Sequence, residues 1–342
     1  MNKSATSSTN NNFQIPGQCP PENSTLRQSG DFTNHILSVV SHARQTSLES
    51  IEQKSFNISH ALSQELEKAV SRSIQSVIYS PFYNEDIALQ AMSINTGRIL
   101  KGKRPLHLTC SSENLGALKS SIEEAKIKEL TGRLRSAGSY NRILGHKILA
   151  ATQVNSNSPT ITELFDRFPV EVKQAGEYQA INQLSLINPK TIESDSIEVI
   201  YIIGHGEAGT PYFFDISGQG GKRKSVTEVA QEMRTIFSGK LKNSAKIKIT
   251  SCESADRETL ESINEIPDNA SKKTKGIAPL ALSMKEELSE FFPTARIFGY
   301  HGLGISRGTQ YIGEARCAVS DFDDNTNQVS NFIRPSLVRK EF

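Results

Sequence analysis

The stretch of residues 197–203 (IEVIYII) constrains the fold more than any other part of the sequence. It is rich in β-branched and aromatic residues and is followed by Gly204, which is the pattern of a buried β-strand. It is also the longest strongly apolar run, and it is far shorter than the roughly 20 residues of a membrane-spanning helix. The sequence therefore predicts a protein built around a buried sheet, with no membrane span.

Short apolar runs alternate with amphipathic stretches from residue 140 onwards. The predicted strands cover residues 146–153, 197–203, 246–250 and 295–300. The predicted helices cover residues 160–168, 226–237 and 277–292. Alternating strands and helices are typical of an α/β domain with a largely parallel sheet, whose functional loops gather at the carboxyl ends of the strands. We therefore predict an α/β domain over residues 140–342.

The chain before residue 140 has a different pattern. Apolar residues between positions 31 and 101 recur at helical spacing, as Ile74 and Ile78 do, and a further helix is predicted over residues 112–135. Residues 1–30 are rich in Ser, Thr, Asn, Gln and Pro and lack the apolar segment of a cleaved signal peptide. The sequence thus predicts a disordered leader over residues 1–30 and a helical N-terminal module over residues 31–135.

The composition argues against several classes of partner. Thirty-nine Lys and Arg residues against 37 Asp and Glu residues leave a net charge of +2, which gives no electrostatic indication of a nucleic-acid partner. The four cysteines are scattered and form no CxxC pair, so neither a disulfide framework nor a zinc site is predicted. We expect no metal, no required cofactor and a reducing compartment.

A histidine and a cysteine follow two of the predicted strands. His205 lies in Gly-His-Gly directly after residues 197–203, and Cys252 lies in Ser-Cys-Glu-Ser directly after residues 246–250. If the two strands are neighbours about 4.8 Å apart, a substrate carbonyl fits between imidazole and sulfur. Cysteine attacks as the thiolate, which a nearby imidazolium favours. The pattern predicts His205 as general acid/base, Cys252 as nucleophile, and the N–H groups of Gly206 and Cys252 as the oxyanion hole.

These motifs resemble those of the clan of cysteine peptidases that includes caspases, legumain, gingipains and separase. In that clan an apolar strand ends in His-Gly, and a later apolar strand ends in a small residue and Cys. The resemblance covers residues 140–320 and implies a caspase-like sandwich with a mostly parallel sheet. It assigns His205, Cys252 and Gly206 the same roles as the residue pattern does.

Within the clan, the order of elements is most similar to the autoprocessing cysteine protease domains of large bacterial toxins. That similarity implies activation by inositol hexakisphosphate, for which basic residues 222–224 and 272–275 are the candidates. The leader resembles the N-terminal signal of bacterial type III effectors. This second resemblance implies a virulence effector secreted into the host cell cytoplasm, with a host protein as substrate and a secretion chaperone at the N-terminal region.

Some alternatives remain open at the level of sequence. His301 also follows a predicted strand and is a second candidate for the acid/base, although we expect Tyr300 and His301 to line the cleft instead. Asp215 and Glu207 are candidates for a third member that orients the histidine. The preferred reaction is endoproteolysis of a host protein or of the chain itself. Acyl transfer or deamidation through the same thioester, and a binding scaffold without catalysis, are the alternatives.

Overall fold

The computed structural model describes residues 74–140, 176–216, 221–266, 278–305, 315–323 and 328–342. The predicted leader, residues 31–73 of the predicted helical module, the predicted strand 146–153 and the predicted helix 160–168 lie outside these ranges.

A six-stranded, mostly parallel sheet forms the centre of an α/β fold. Its strands are β1 (Ser76–Tyr79), β2 (His107–Thr109), β3 (Ile197–Ile202), β6 (Leu241–Ile249), β7 (Arg296–Tyr300) and β12 (Arg339–Glu341). The spatial order is β12-β7-β6-β3-β1-β2, and only β12 runs antiparallel to its neighbour. The predicted α/β class with a mostly parallel sheet is therefore confirmed.

Five helices and three small hairpins accompany the sheet within the described ranges. The helices are α1 (Glu85–Ile99), α2 (Leu115–Tyr140), α3 (Gly176–Gln183), α4 (Val226–Phe237) and α5 (Leu280–Ser289). The two-stranded pairs are β4 (Tyr212–Phe214) with β5 (Arg223–Ser225), β8 (Leu303–Ile305) with β9 (Ala315–Cys317), and β10 (Phe322–Asp323) with β11 (Gln328–Val329). No described helix has both the length and the apolar character needed to span a membrane.

The part of the chain around the predicted histidine and cysteine folds as expected. Strands β3 and β6 are direct parallel neighbours, with Ile202 opposite Ile249 at their carboxyl ends. Helix α4 occupies the predicted range and begins with a capping box, in which Ser225 and Glu228 exchange hydrogen bonds. The predicted helix over residues 112–135 is also present, as a short 3-10 turn followed by α2.

The helical spacing that includes Ile74 and Ile78 predicts a helix there, and this prediction is wrong at Ser76–Tyr79. This segment is β1, which lies between β3 and β2 inside the sheet. Val77, Ile78 and Tyr79 are fully buried, because a strand in the middle of a covered parallel sheet contacts apolar groups on both faces. Such a strand is a continuous apolar run without alternation, so its sequence is easily taken for part of a helix.

Helix α1 follows β1 after a short turn and begins at the carboxyl edge of the sheet. Asn84 caps it by accepting a 3.1 Å hydrogen bond from the N–H of Ile87. Glu85 and Asp86 occupy its first turn, where negative charge is favourable next to the helix dipole. Residues that were predicted to belong to a separate module therefore reach the same edge as His205 and Cys252.

Candidate active site

His205 is held at the carboxyl end of β3 by its own backbone. Its N–H donates to the carbonyl of Phe214 at 2.9 Å, and its carbonyl accepts from the N–H of Phe214 at 3.0 Å. This bridge to β4 fixes the main chain on both sides of the imidazole. The side chain is only one-fifth exposed. The histidine is thus a rigidly placed group at the sheet edge.

Cys252 lies shortly beyond the end of the neighbouring strand β6, after Thr250 and Ser251. The N–H of Gly304, in β8, donates a 3.2 Å hydrogen bond to the sulfur of Cys252. A donated N–H stabilises negative charge on sulfur more than it stabilises a neutral thiol. The following loop is tied to β7 by hydrogen bonds from the N–H of Ala255 to the carbonyl of Tyr300 and from the N–H of Tyr300 to the Ser254 hydroxyl.

A small cavity of about 60 Å³ is lined by both His205 and Cys252. Its other walls come from α1, from the ends of β3 and β6, and from the β8–β9 hairpin. The structure therefore brings together the two residues that the sequence predicts as the catalytic pair. They reach the same space from adjacent strands, as their positions after β3 and β6 require.

Asp86 and Gln90 of α1 contact the imidazole of His205, and neither was predicted from the sequence. The Oδ2 atom of Asp86 lies 2.6 Å from Nε2 of His205. The side-chain amide of Gln90 donates to the same Oδ2 atom at 2.8 Å, and its oxygen accepts from the N–H of Gly204 at 3.2 Å. Asp86 and Gln90 are four residues apart in α1, so both face the histidine from one side of the helix.

Gly206 packs directly against the cysteine loop. A Cβ atom at this position would lie 2.8 Å from the carbonyl oxygen of Cys252 and 2.9 Å from the Cβ of Ser251, both too close for any side chain. Neither the N–H of Gly206 nor that of Cys252 donates a hydrogen bond to another described residue. Both N–H groups predicted for the oxyanion hole are therefore unpaired within the described part of the chain, and only a glycine allows this close approach.

Arg316 of β9 lies beneath the cysteine and is 2 % exposed. Its Nη2 atom donates to the carbonyl of Thr250 at 2.6 Å, and its Nη1 atom donates to the carbonyls of Ser251 at 3.1 Å and Gly302 at 3.3 Å. A Cβ atom added to Gly304 would lie 3.2 Å from Nη1 of Arg316 and 3.5 Å from the sulfur of Cys252. A buried positive charge therefore lies close to the nucleophile candidate.

The structure does not place Tyr300 and His301, the residues expected to line the cleft, on the wall of this cavity. Both are buried, and neither is among the described residues that line the cavity. Nδ1 of His301 is bonded to the buried carboxylate of Asp256, whose other oxygen accepts from the N–H of Gly302 at 2.8 Å. His301 follows β7 into the interior instead of facing the cavity, whereas Gly304 and Ile305, a few residues later, form the wall.

The two acidic residues predicted to orient the histidine make no described contact with its ring. Among the described contacts of the His205 ring, neither Asp215 nor Glu207 appears; Asp215 accepts from the Asn84 amide through its carbonyl oxygen. Cys110 and Cys317 are buried, and desolvation raises the pKa of each thiol to about 12. Burial therefore keeps both sulfurs protonated and unreactive, as is typical of structural thiols.

The described basic residues 222–224 contact groups of their own chain. Lys222 lies over the ring of Tyr83, Arg223 over the ring of Tyr212, and Lys224 pairs with Glu232. The second predicted basic group, residues 272–275, lies outside the described ranges. Activation by inositol hexakisphosphate stays a prediction.

The described residues contain no cluster of three or more His, Cys, Asp or Glu side chains that could hold a metal ion. Compared with protein-family models, the sequence gives no match, and a search of curated proteins gives none either.

Proposed function

We propose that the protein is a cysteine peptidase of caspase-like architecture in which Cys252 is the nucleophile and His205 the general acid/base. The observation that carries the proposal is the shared cavity, in which the imidazole from the end of β3 and the thiol from the end of β6 face the same space. The hydrogen bond from the N–H of Gly304 to the sulfur supports it, because a nucleophilic sulfur must carry negative charge.

The reaction proceeds through a thioester. His205 removes the thiol proton, and the sulfur attacks the substrate carbonyl carbon to form a tetrahedral oxyanion. The N–H groups of Gly206 and Cys252 are available to receive this oxyanion because no other described group accepts from them. His205 then gives its proton to the leaving amine as the C–N bond breaks. A water molecule, deprotonated by His205, hydrolyses the thioester and restores the thiol.

The same chemistry would act on a host protein or on the chain itself. The parallel order of β3, β6 and β7, with the histidine after the first and the cysteine after the second, supports the proposed caspase-like sandwich. We extend the proposal to a secreted bacterial effector on the basis of the polar leader, which alone supports this extension.

Labelling with iodoacetamide near pH 6 tests the catalytic pair. At this pH an ordinary thiol, with a pKa of about 8.5, is almost wholly protonated and reacts slowly. We expect rapid alkylation of Cys252, with no reaction at Cys110 or Cys317, and loss of this rapid reaction in His205→Ala. His107→Ala is the matched control, because His107 lies in the edge strand β2. Slow labelling of Cys252, or equal labelling in the two histidine variants, would contradict the proposal.

Peptidase activity is tested by mapping new protein amino termini in host-cell extract treated with the purified protein. We expect termini that form with the wild type and are missing with Cys252→Ala. A mass change on an intact extract protein, without new termini, would instead support acyl transfer or deamidation through the same thioester. An extract unchanged by a rapidly labelled enzyme would overturn both reactions for that source of substrate.

A further inference from the structure

The contacts between α1 and His205 show which nitrogen of the imidazole carries the proton. Two groups approach Nε2: the carboxylate of Asp86 at 2.6 Å and the amide nitrogen of Gln90 at 3.0 Å. An imidazole nitrogen either donates one hydrogen bond or accepts one. Only one of these two contacts can therefore be a hydrogen bond to Nε2.

The N–H of Gly204 decides which contact is the hydrogen bond. It donates to the side-chain oxygen of Gln90, so the other end of that amide, which faces Asp86 and His205, is the NH₂ group. This NH₂ already donates to Oδ2 of Asp86 at 2.8 Å. The amide nitrogen and Nε2 are therefore two donors converging on the same carboxylate oxygen, and their 3.0 Å separation is a consequence of that shared acceptor.

Nε2 of His205 consequently carries a proton, which it donates to Asp86. The other ring nitrogen, Nδ1, has no hydrogen-bond partner among the described residues. In the neutral imidazole this leaves the lone pair on Nδ1, which is the arrangement that a general base needs. We propose that Asp86 is a positioning residue that holds His205 in the Nε2–H tautomer, so that Nδ1 exchanges the proton with Cys252. This inference rests on the proposed function.

The proton balance of the reaction agrees with this assignment. When Nδ1 takes the thiol proton, the ring becomes an imidazolium with a proton on each nitrogen. Asp86 keeps its hydrogen bond to Nε2 and now faces a full positive charge, so the same contact stabilises the charged ring during attack. The proton on Nδ1 then passes to the leaving amine, and Nε2 keeps its own proton throughout.

Gln90 connects this carboxylate to the strand that carries the histidine. Through one side chain it joins Oδ2 of Asp86 to the backbone of Gly204, the residue next to His205. Asp86 has a half-exposed side chain, and an exposed carboxylate normally adopts several rotamers. The amide of Gln90 restricts it to the one that meets Nε2. Gln90 thus positions the residue that positions the histidine.

The test compares two variants of the full-length protein that each remove one carboxylate from the first turn of α1. Asp86→Ala removes the partner of His205. Glu85→Ala, the matched control, removes a carboxylate that pairs with Lys128 at 2.7 Å instead. Both substitutions remove one negative charge from the first turn of α1, where it interacts with the helix dipole. A nonspecific effect on α1 would therefore change the NMR signal and the alkylation rate equally in both variants.

Proton NMR of protein labelled with ¹⁵N-histidine reports the tautomer without any substrate. We expect a hydrogen-bonded ring proton on Nε2 of His205 near neutral pH, assigned by its absence in His205→Asn. This signal is expected to persist in Glu85→Ala and to disappear by solvent exchange in Asp86→Ala. A wild-type ring with a proton on Nδ1 but none on Nε2, or an Nε2 proton unaffected by Asp86→Ala, would overturn the inference.

The rate of alkylation of Cys252 at neutral pH gives the second readout. General-base assistance contributes on the order of 10²- to 10⁴-fold in enzymes, and we expect Asp86→Ala to lose at least about 10-fold while Glu85→Ala stays near the wild type. Equal rates in the two variants would overturn the positioning role and leave the catalytic pair intact. Labelling that does not depend on His205 would overturn the proposed function itself, whatever the NMR spectra show.

Discussion

The Nη2 atom of Arg316 donates a 2.6 Å hydrogen bond to the carbonyl oxygen of Thr250, two positions before Cys252. Its Nη1 atom reaches the carbonyls of Ser251 and Gly302 in the same way. One guanidinium therefore connects the end of β6, which carries the thiol, to the loop after β7. The planar group with its fixed fork of donors suits this role, whereas an ammonium does not.

Arg316→Lys is expected to weaken this connection while keeping the charge. A lysine cannot reach three carbonyls in two directions, and a buried carbonyl left unpaired costs about 1–3 kcal/mol. We expect the free energy of unfolding, measured by urea denaturation, to fall by about that amount, and Cys252 to be alkylated more slowly. Arg339→Lys, on the exposed edge strand β12, is the control. Equal stability of the two variants would contradict the role of Arg316.

Gly206→Ala tests the close packing between the histidine and cysteine loops. The added methyl group would lie 2.8 Å from the carbonyl oxygen of Cys252, so one backbone segment must move. Because this movement displaces the N–H groups proposed for the oxyanion hole, we expect a loss of kcat on the order of 10²-fold or more. Gly116→Ala in α2 is the control, because a Cβ at this site meets nothing within 4 Å. Unchanged kcat in Gly206→Ala would show that the predicted oxyanion hole is wrong.

Glu253, next to the cysteine, makes stability depend on pH. Burial, the largest effect, and repulsion from Asp256 and Glu207 raise the pKa of its carboxyl above the usual 4.5. The folded state therefore binds this proton more tightly than the unfolded state does, and stability is lost as the pH rises from about 4.5 through the folded pKa.

Glu253→Gln removes this titration. We expect the free energy of unfolding of the wild type, measured in urea from about pH 4 to about pH 8, to fall relative to that of Glu253→Gln as the pH rises. Glu261→Gln, at an exposed position, controls for the loss of one negative charge. A wild-type stability that stays constant relative to that of Glu253→Gln over this range, or that rises relative to it as the pH rises, would contradict the assignment.

Ile78→Ala tests the place of β1 in the sheet. Ile78 is fully buried in the strand between β3 and β2, and truncating such a side chain costs about 2–5 kcal/mol. Leu100→Ala, at a site 52 % exposed just after α1, is expected to change stability by less than about 0.5 kcal/mol. Chemical denaturation of the two variants measures both values. Similar small effects would contradict the burial of β1.

The elements that could be predicted from the sequence are those whose local pattern is sufficient to define them. Residues 197–203 are too apolar and too short for anything but a buried strand, and α4 combines helical spacing with a capping box at Ser225. Two parallel strands that end in His205 and Cys252 then had to present both residues at one edge. The sequence pattern alone is therefore sufficient to predict that His205 and Cys252 lie close together.

The remaining features depend on tertiary contacts that local patterns do not contain. Ile74 and Ile78 have helical spacing, yet only the pairing of residues 76–79 with β3 places this segment in the sheet. Asp86 is an ordinary acidic residue for the first turn of a helix, and it lies 119 positions from His205. His301 follows a strand as His205 does, but the pairing of Asp256 with its ring turns it inwards. Both histidines follow a strand and precede a glycine, so this pattern alone does not show which ring turns inwards.

The position of β1 within the sheet has a consequence for the modularity of the chain. The sequence resemblance to cysteine peptidases begins near residue 140. A fragment designed from that resemblance would contain residues 140–342 and be expected to fold alone. This fragment would contain Cys252 and His205 but lack Asp86. It would also expose the edge of β3 that pairs with β1. A fragment that keeps the proposed catalytic site intact must therefore include β1 and α1.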